Sequence, residues 1–361
     1  MRKIYCLFPI LLLTLSANAQ FLGFSPAGIK QLKELDKTNP EIHLLIKQQK
    51  RIADQAVDTV PDPITTITTE GKLKGDPLKI ATWHAIKDFK KIYALAIIYK
   101  LYGQPIYLQK ATTYLIAWAD TNQPGGNPIN DTNLDEAIEG YDLIKSNIKA
   151  GDKLLISDWL KRTARAEIAH MPKNQDKETG YNNWNSHRLK VIGEIGFATS
   201  DTTLREFAVN ALKKQLEVNL LPDGSSIDFK LRDALHYHVY DLEPLLQLAI
   251  VIKRAGGTDY YIDKTATGAS LKKSTEWLLP YVTGAKTHGE FVHSTVKFDQ
   301  DRARNGEAGY QAGVLFKPAS GLKTLALAAY FDPSMSSVYQ QVRGQTISAE
   351  DWQLMLSNIR N

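Results

Sequence analysis

Apolar positions recur along the chain at helical spacing. Leu204, Phe207, Ala208, Ala211, Leu212 and Leu216 mark one amphipathic stripe, and Leu322, Leu325, Ala326, Ala329 and Tyr330 mark another. Ile86 to Tyr102, Leu154 to His170 and Leu271 to Val282 behave in the same way. Short polar or Gly/Pro-rich segments separate them: Asn122 to Pro128, Pro172 to Gly180, Pro222 to Ser226 and Gly256 to Asp259. Phe291 to Phe298 is the one stretch whose pattern admits a short strand. No long linker or shift of composition divides the chain, and no strict repeat is visible. The pattern predicts a single all-α domain of paired helices. Roughly ten helices cannot share one bundle core, so a stacked or ring-closed array of helical hairpins fits better than a four-helix bundle.

The first nineteen residues stand apart from this pattern. Arg2 and Lys3 precede the apolar run Leu7 to Leu13, and Ala17-Asn18-Ala19 offers a small-x-small cleavage site before Gln20. Residues 1–19 therefore read as a cleavable export signal and 20–361 as the mature domain, periplasmic or secreted, with no membrane span. Cys6, the only cysteine, lies inside the signal. The mature chain is expected to rely on its core, without disulfides or thiol chemistry. Cleavage removes two positive charges from a formal net charge of +5. The remaining weak basicity tolerates a polyanion, but the basic runs with interleaved aromatics of a nucleic-acid surface are missing.

Two segments concentrate titratable groups. Arg232 to Tyr240 reads RDALHYHVY, with one arginine, two histidines and two tyrosines, including Tyr237. On one continuous helix Arg232, His236 and Tyr240 share a side at i, i+4 and i+8, while Leu235, Leu242, Leu245, Leu246 and Ala249 face the core. His238 falls on the apolar side and reads as a hydrogen-bonded core histidine. The polar side is either a reactive face or a solvated one. Tyr181 to Arg188 reads YNNWNSHR and opens another helix. Asn182 and Asn183 are ordinary capping residues there, yet a cap does not need the whole set. Amides, the Trp184 indole and the His187 imidazole supply donors, a stacking face and a base, which suits a sugar acid.

These residues resemble a known family. Asn-Asn followed by His, then Pro-Asp-Gly-Ser, then Arg and Tyr-His-x-Tyr before an aliphatic helix is similar to the alginate lyases and related polysaccharide lyases. Ile86 to Pro124 also resembles that family's N-terminal helical hairpin. The resemblance implies an α/α toroid of helical hairpins and β-elimination on an anionic polysaccharide by a monomer. It also implies that Tyr240 is the catalytic tyrosine, His187 the active-site histidine, Asn183 a carboxylate neutraliser and Arg232 its charged helper. Asn182, Trp184, His236, Tyr237 and Arg302 are the expected substrate contacts. Two spacings differ from the better-known alginate lyases. Trp184, Asn185 and Ser186 separate the asparagines from His187, and Arg232 lies one residue further from Tyr240. His236 is the substitute should His187 point away. This divergence is similar to a separate branch such as polysaccharide lyase family 38, which implies alginate or glucuronan as substrate.

Other readings are weaker. Arg302, Arg304 and Tyr310 serve either as cleft contacts or in surface ion pairs, and Trp83 and His84 either line the cleft or pack. Trp118, Trp159 and Trp277 lie in apolar helices and read as core. Eight histidines include no HExxH and no i, i+4 pair, so neither metal nor cofactor is expected. A toroid glycoside hydrolase would need two flanking carboxylic acids, for which Asp223, Asp228, Asp233 and Asp241 are candidates. A non-catalytic glycan binder would use Trp184 and the amides but has no use for the arginine and tyrosine.

Overall fold

The computed structural model describes residues 22–173, 177–345 and 347–359. The export signal lies outside them. Among the described residues there is no strand, only two isolated bridges, Leu220 with Ser226 and Gly289 with Leu315. The Phe291 to Phe298 stretch is not a strand. Phe291 sits at φ +62°, which no strand accommodates, and a helix begins at Lys297.

Helices alternate along the chain between an inner and an outer position. Lys87–Tyr102, Asp135–Ile144, Asn183–Ala198, Leu235–Arg254 and Leu322–Ala328 pack in succession as the inner layer. Each is followed by an outer partner: Pro105–Thr121, Ala150–Ala169, Thr202–Asn219, Leu271–Val282 and Ser334–Arg343. The inner layer closes into a ring through Asp351–Asn358 and Pro40–Val57, where Trp352 Nε1 donates to Tyr93 Oη at 2.8 Å. The all-α toroid of helical hairpins is thus present as a single domain.

Sequence explains the division. The outer Thr202–Asn219 helix buries only its Leu204, Ala208, Leu212, Leu216 side. The inner Asn183–Ala198 helix is buried at every residue but Trp184, and its polar residues must therefore find partners inside. Gly193 and Gly196 make that burial possible. A Cβ on Gly193 would run into the Leu248 side chain, and one on Gly196 would meet the Arg205 backbone nitrogen at 2.9 Å. Trp118 and Trp159 are fully buried with their indole nitrogens donating to Asp88 and Asn122, each at 3.1 Å. Trp277 is half-buried against Phe229 and His238. Among the described residues no helix is long and apolar enough to cross a membrane.

Candidate active site

The N-terminal ends of the inner helices converge at one end of the ring. Thr132 and Asp135 open one helix, Asn183 and His187 the next, His236, Tyr237 and Tyr240 a third, and Lys323 a fourth. Helix N-termini carry partial positive charge, so this end favours an anion. A segment between the outer Leu271–Val282 helix and the inner Leu322–Ala328 helix, residues 284–316, folds over the start of Leu235–Arg254. Its Glu290 carboxylate accepts from the Leu235 and His236 backbone N–H groups at 2.8 and 3.0 Å. Glu290 thereby caps a helix whose own N-cap, Ala234, has no side-chain acceptor.

Arg232 does not share a helix with His236 and Tyr240. Asp233 adopts a left-handed φ of +48°, ending the Ile227–Arg232 helix before the next begins at Leu235. The i, i+4, i+8 stripe is therefore broken at its first member. Arg232 instead donates to Asp299 at 2.5 Å and lies over the Tyr237 ring, 4.0 Å from its centre. Asp299 also accepts from Tyr237 Oη at 3.3 Å and Ser294 Oγ at 3.0 Å. The rest of the helix follows its pattern. Leu235, Leu242, Leu245, Leu246 and Ala249 are fully buried, and His238 is a core histidine between Ser226 Oγ at 3.0 Å and the Ser274 carbonyl at 3.2 Å.

His187 and Tyr240 meet at the centre of the site, their ring centres 4.3 Å apart. His187 Nδ1 lies 2.8 Å from Thr132 Oγ1, and its Nε2 is buried without a partner among the described residues. Burial, with the Lys190 and Lys323 ammonium groups nearby, holds its pKa well below the ordinary histidine value. Burial and the Glu243 carboxylate push the Tyr240 phenol up, against the pull of Lys323 and Arg302. His236 stacks parallel to Tyr240 at 6.5 Å and keeps open surface. Protein surrounds its remaining sides and, with Arg302, brings its pKa down to about 4.

Arg302 and Arg304 divide between the two roles open to them. Arg304 pairs with Asp301 on the surface. Arg302 donates to Tyr237 Oη at 2.9 Å and lies against the Phe298 and Tyr310 rings, with a buried Nε that has no partner among the described residues. Trp83 is half exposed, and His84 pairs with Asp62 at 2.9 Å.

Asn182 caps the Asn183–Ala198 helix by accepting from Trp184 N at 3.0 Å, and the Trp184 ring is partly exposed. Asn183 is buried and donates to Asp228. Behind it runs a polar network. Asn219 Nδ2 reaches Asp228 at 3.1 Å and Asp241 at 3.3 Å, and Ser186 Oγ donates to Asp241 at 2.6 Å. Burial raises both carboxyl pKa values, Asp241 the more strongly because the Asp228 charge adds to its burial, and one of its oxygens has no donor among the described residues. Asp223, by contrast, is held by Ser225 and Lys230, and Asp233 by the His293 backbone. Among the described residues no group of His, Cys, Asp or Glu side chains is arranged to hold a metal ion.

Sequence reasoning missed Thr132, Lys190, Glu290, Asp299 and Lys323. Lys190 carried a visible signal, a charge between Leu189 and Val191 in a largely apolar stretch. The others come from distant segments whose local patterns are unremarked. A separate cavity of about 390 Å³, lined by Leu35, Ile42, Leu45, Leu354 and Met355, opens between the N-terminal helices and Asp351–Asn358 and shares none of these groups.

Comparison with known proteins adds to this geometry. The family model described as "Alginate lyase" matches residues 29–288. A polysaccharide lyase of Stenotrophomonas maltophilia is 27% identical over 175 residues, 45% of this chain and 51% of that protein. An alginate lyase of the same organism is 24% identical over 192 residues, 46% of this chain and 25% of its own length. The chain thus spans about half the length of the first of these relatives and a quarter of the second. Among solved structures, an alginate lyase from Bacteroides ovatus superposes with a TM-score of 0.67 at 16% identity, covering 92% of this chain and 97% of its own. Alginate lyase A1-III from Sphingomonas species A1 gives 0.56 at 18% identity, covering 74% and 81%. A tetrasaccharide complex of a histidine-to-alanine variant of A1-III also matches, at 0.56 and 17% identity, covering 84% and 95%.

Proposed function

This chain belongs to the alginate lyase family, and from that premise we propose that it cleaves a uronic-acid polymer by β-elimination, acting on mannuronate-rich alginate or on glucuronan. The observation that carries the reading is the pairing of His187 with Tyr240 at 4.3 Å, bordered by cations and by two donor atoms, His187 Nε2 and Arg302 Nε, that have no partner among the described residues, on an end of the ring that favours anions.

Elimination removes the C5 proton, breaks the C4–O4 bond, forms a C4=C5 double bond and returns a proton to O4. The C5 proton is far less acidic than any side chain, so the neighbouring carboxylate must be neutralised first. Donors aimed at the developing enolate supply the largest share of such catalysis. Asn183 has a second amide hydrogen beyond the one given to Asp228, and His187 Nε2 and Arg302 Nε are buried without partners among the described residues. These three are the proposed neutralising set, with Arg232 acting through Tyr237 and Asp299. Tyr240 takes the C5 proton as phenolate and gives it to O4 as phenol. Trp184 and His236 offer stacking faces to flanking sugars. As the first nineteen residues read as an export signal, the proposed setting is the periplasm or the medium, with the enzyme a monomer.

Hydrolysis is the poorer reading. Asp228 and Asp241, two of the candidate carboxyl groups, are bridged by Asn219 Nδ2 at 3.1 and 3.3 Å, so an amide stands where a hydrolase needs a glycosidic oxygen or a water. The test is ultraviolet absorbance of the unsaturated product after mixing the protein with polymannuronate, polyguluronate and glucuronan. Wild type should produce it, and Tyr240→Phe should lose turnover while keeping binding. New reducing ends without that absorbance would replace elimination by hydrolysis.

A further inference from the structure

Lys190 has an ammonium group with three hydrogens and no acceptor. It reaches Thr132 Oγ1 at 2.7 Å, the Thr132 carbonyl at 3.4 Å and the Asp135 carboxylate, so each hydrogen has a partner. Thr132 Oγ1 is thus already an acceptor, and its own hydrogen needs one. His187 Nδ1, at 2.8 Å, is the acceptor within reach. The reverse assignment, with hydrogen on Nδ1, would make Thr132 Oγ1 accept twice and leave its O–H without a protein acceptor among the described residues.

We propose that Thr132 and Lys190 are positioning residues that hold His187 as its Nε2–H tautomer, making it a donor to substrate and unable to act as a base. The substrate half of this inference rests on the lyase reading above. In β-D-mannuronate and β-D-glucuronate the C5 proton and O4 leave from one face, so Tyr240 alone serves both steps. In α-L-guluronate they leave from opposite faces and a second base is needed. His187 locked as a donor cannot be that base, and His236 stacks beside Tyr240 on the same side. The site is therefore selective for mannuronate and glucuronate polymers.

The test labels histidine with ¹⁵N and reads the His187 tautomer by NMR, the signal being identified by its loss in His187→Ala. Hydrogen on Nε2 is expected in wild type and Thr132→Ser, with Nδ1–H appearing in Thr132→Val and Lys190→Met. In the same proteins kcat on polymannuronate should fall roughly tenfold or more in Thr132→Val, short of the hundredfold typical of deleting a donor outright, with KM little changed and Thr132→Ser close to wild type. Nδ1–H in wild type, or an unchanged tautomer in both Thr132→Val and Lys190→Met, overturns the proposal. Efficient polyguluronate cleavage by wild type overturns its substrate half. Absence of elimination on every polymer removes the lyase reading, and NMR still decides the tautomer.

Discussion

Glu290 is the residue whose loss separates the two halves of the site. It is 3% exposed, and its two oxygens accept from the first two N–H groups of the helix that carries His236, Tyr237 and Tyr240. Hydrogen bonds to a charged acceptor contribute about 1.5–3 kcal/mol each. Removing both in Glu290→Ala has an upper range of about 3–6 kcal/mol. Water entering the vacated space would restore part of this, so about 3 kcal/mol is expected, or roughly 6 °C in Tm at about 2 °C per kcal/mol for a chain of this size. Glu290→Gln keeps one acceptor and loses the charge facing the helix N-terminus, and should cost about 1–2 kcal/mol. Circular dichroism on heating measures both, and hydrogen exchange reads the cause directly, because the Leu235 and His236 amides should lose protection before the rest of the helix. Activity should fall with them. The Phe291 N–H to Asp233 carbonyl bond, 2.8 Å, is the neighbouring anchor of the segment that carries Asp299, Arg302 and Tyr310. A Glu290→Ala protein within about 1 kcal/mol of wild type, with those two amides still protected, would refute this account of how the segment is held.

Three further outcomes follow from particular groups. Tyr240 has its phenol pKa raised, so below that value its phenolate fraction grows about tenfold per pH unit; kcat/KM should climb with pH through and above neutrality, and a plateau in that range would argue against Tyr240 as the base. Glu139 is pushed up to about 8 by burial and by Asp135 and Glu136 beside it. The folded state therefore binds a proton that the unfolded chain, with a glutamate near about 4.3, releases, and Glu139's contribution to stability should fall as pH rises from there through about 8. Glu139→Gln should flatten that part of a Tm-against-pH curve, and an unchanged slope would contradict the assignment. Gly224 has φ +97°, and a Cβ there would sit 2.7 Å from Trp277 Cβ. Gly224→Ala should destabilise by about 2 kcal/mol or more in urea unfolding, and a neutral result would show that the turn before Ile227–Arg232 can shift.

Helical periodicity made the hairpin array legible because outer helices are half-solvated and show a clean stripe. It was less informative for Asn183–Ala198, which is buried all round, so that its charges report partners and not a solvent face. Local clusters also revealed which residue types meet: Asn183, His187 and Tyr240 all lie at the convergent end of the ring. The surrounding groups were not legible. Asp299 answers Arg232 from 67 positions away, and Glu290 caps Leu235 from 55. No local pattern encodes either pairing, because what fixes them is closure of a segment over the helix start.

The one misplaced residue changes the chemistry assigned to the site. A single helix through Arg232 would have put a guanidinium on the same face as Tyr240, two turns away, to lower its pKa. Asp233 breaks that helix, and Arg232 has its charge matched by Asp299 instead. The cations that favour a Tyr240 phenolate are then Lys323, itself 3.5 Å from Glu243, and Arg302, which no carboxylate neutralises within ion-pair distance among the described residues. Arg302 is thus the more available charge, both for the tyrosine and for a substrate carboxylate. Carboxylate binding at Arg302 would take away part of the cation that favours phenolate, while the same bound carboxylate needs that phenolate for its C5 proton. The site meets these two demands only if substrate neutralisation is shared. In the proposed mechanism the neutral donors Asn183 and His187 take that share, because a carboxylate bound to them withdraws neither Lys323 nor Arg302 from Tyr240. Burial, with Lys190 and Lys323 nearby, holds the His187 pKa well below the ordinary histidine value, which keeps this donor neutral in the proposed mechanism.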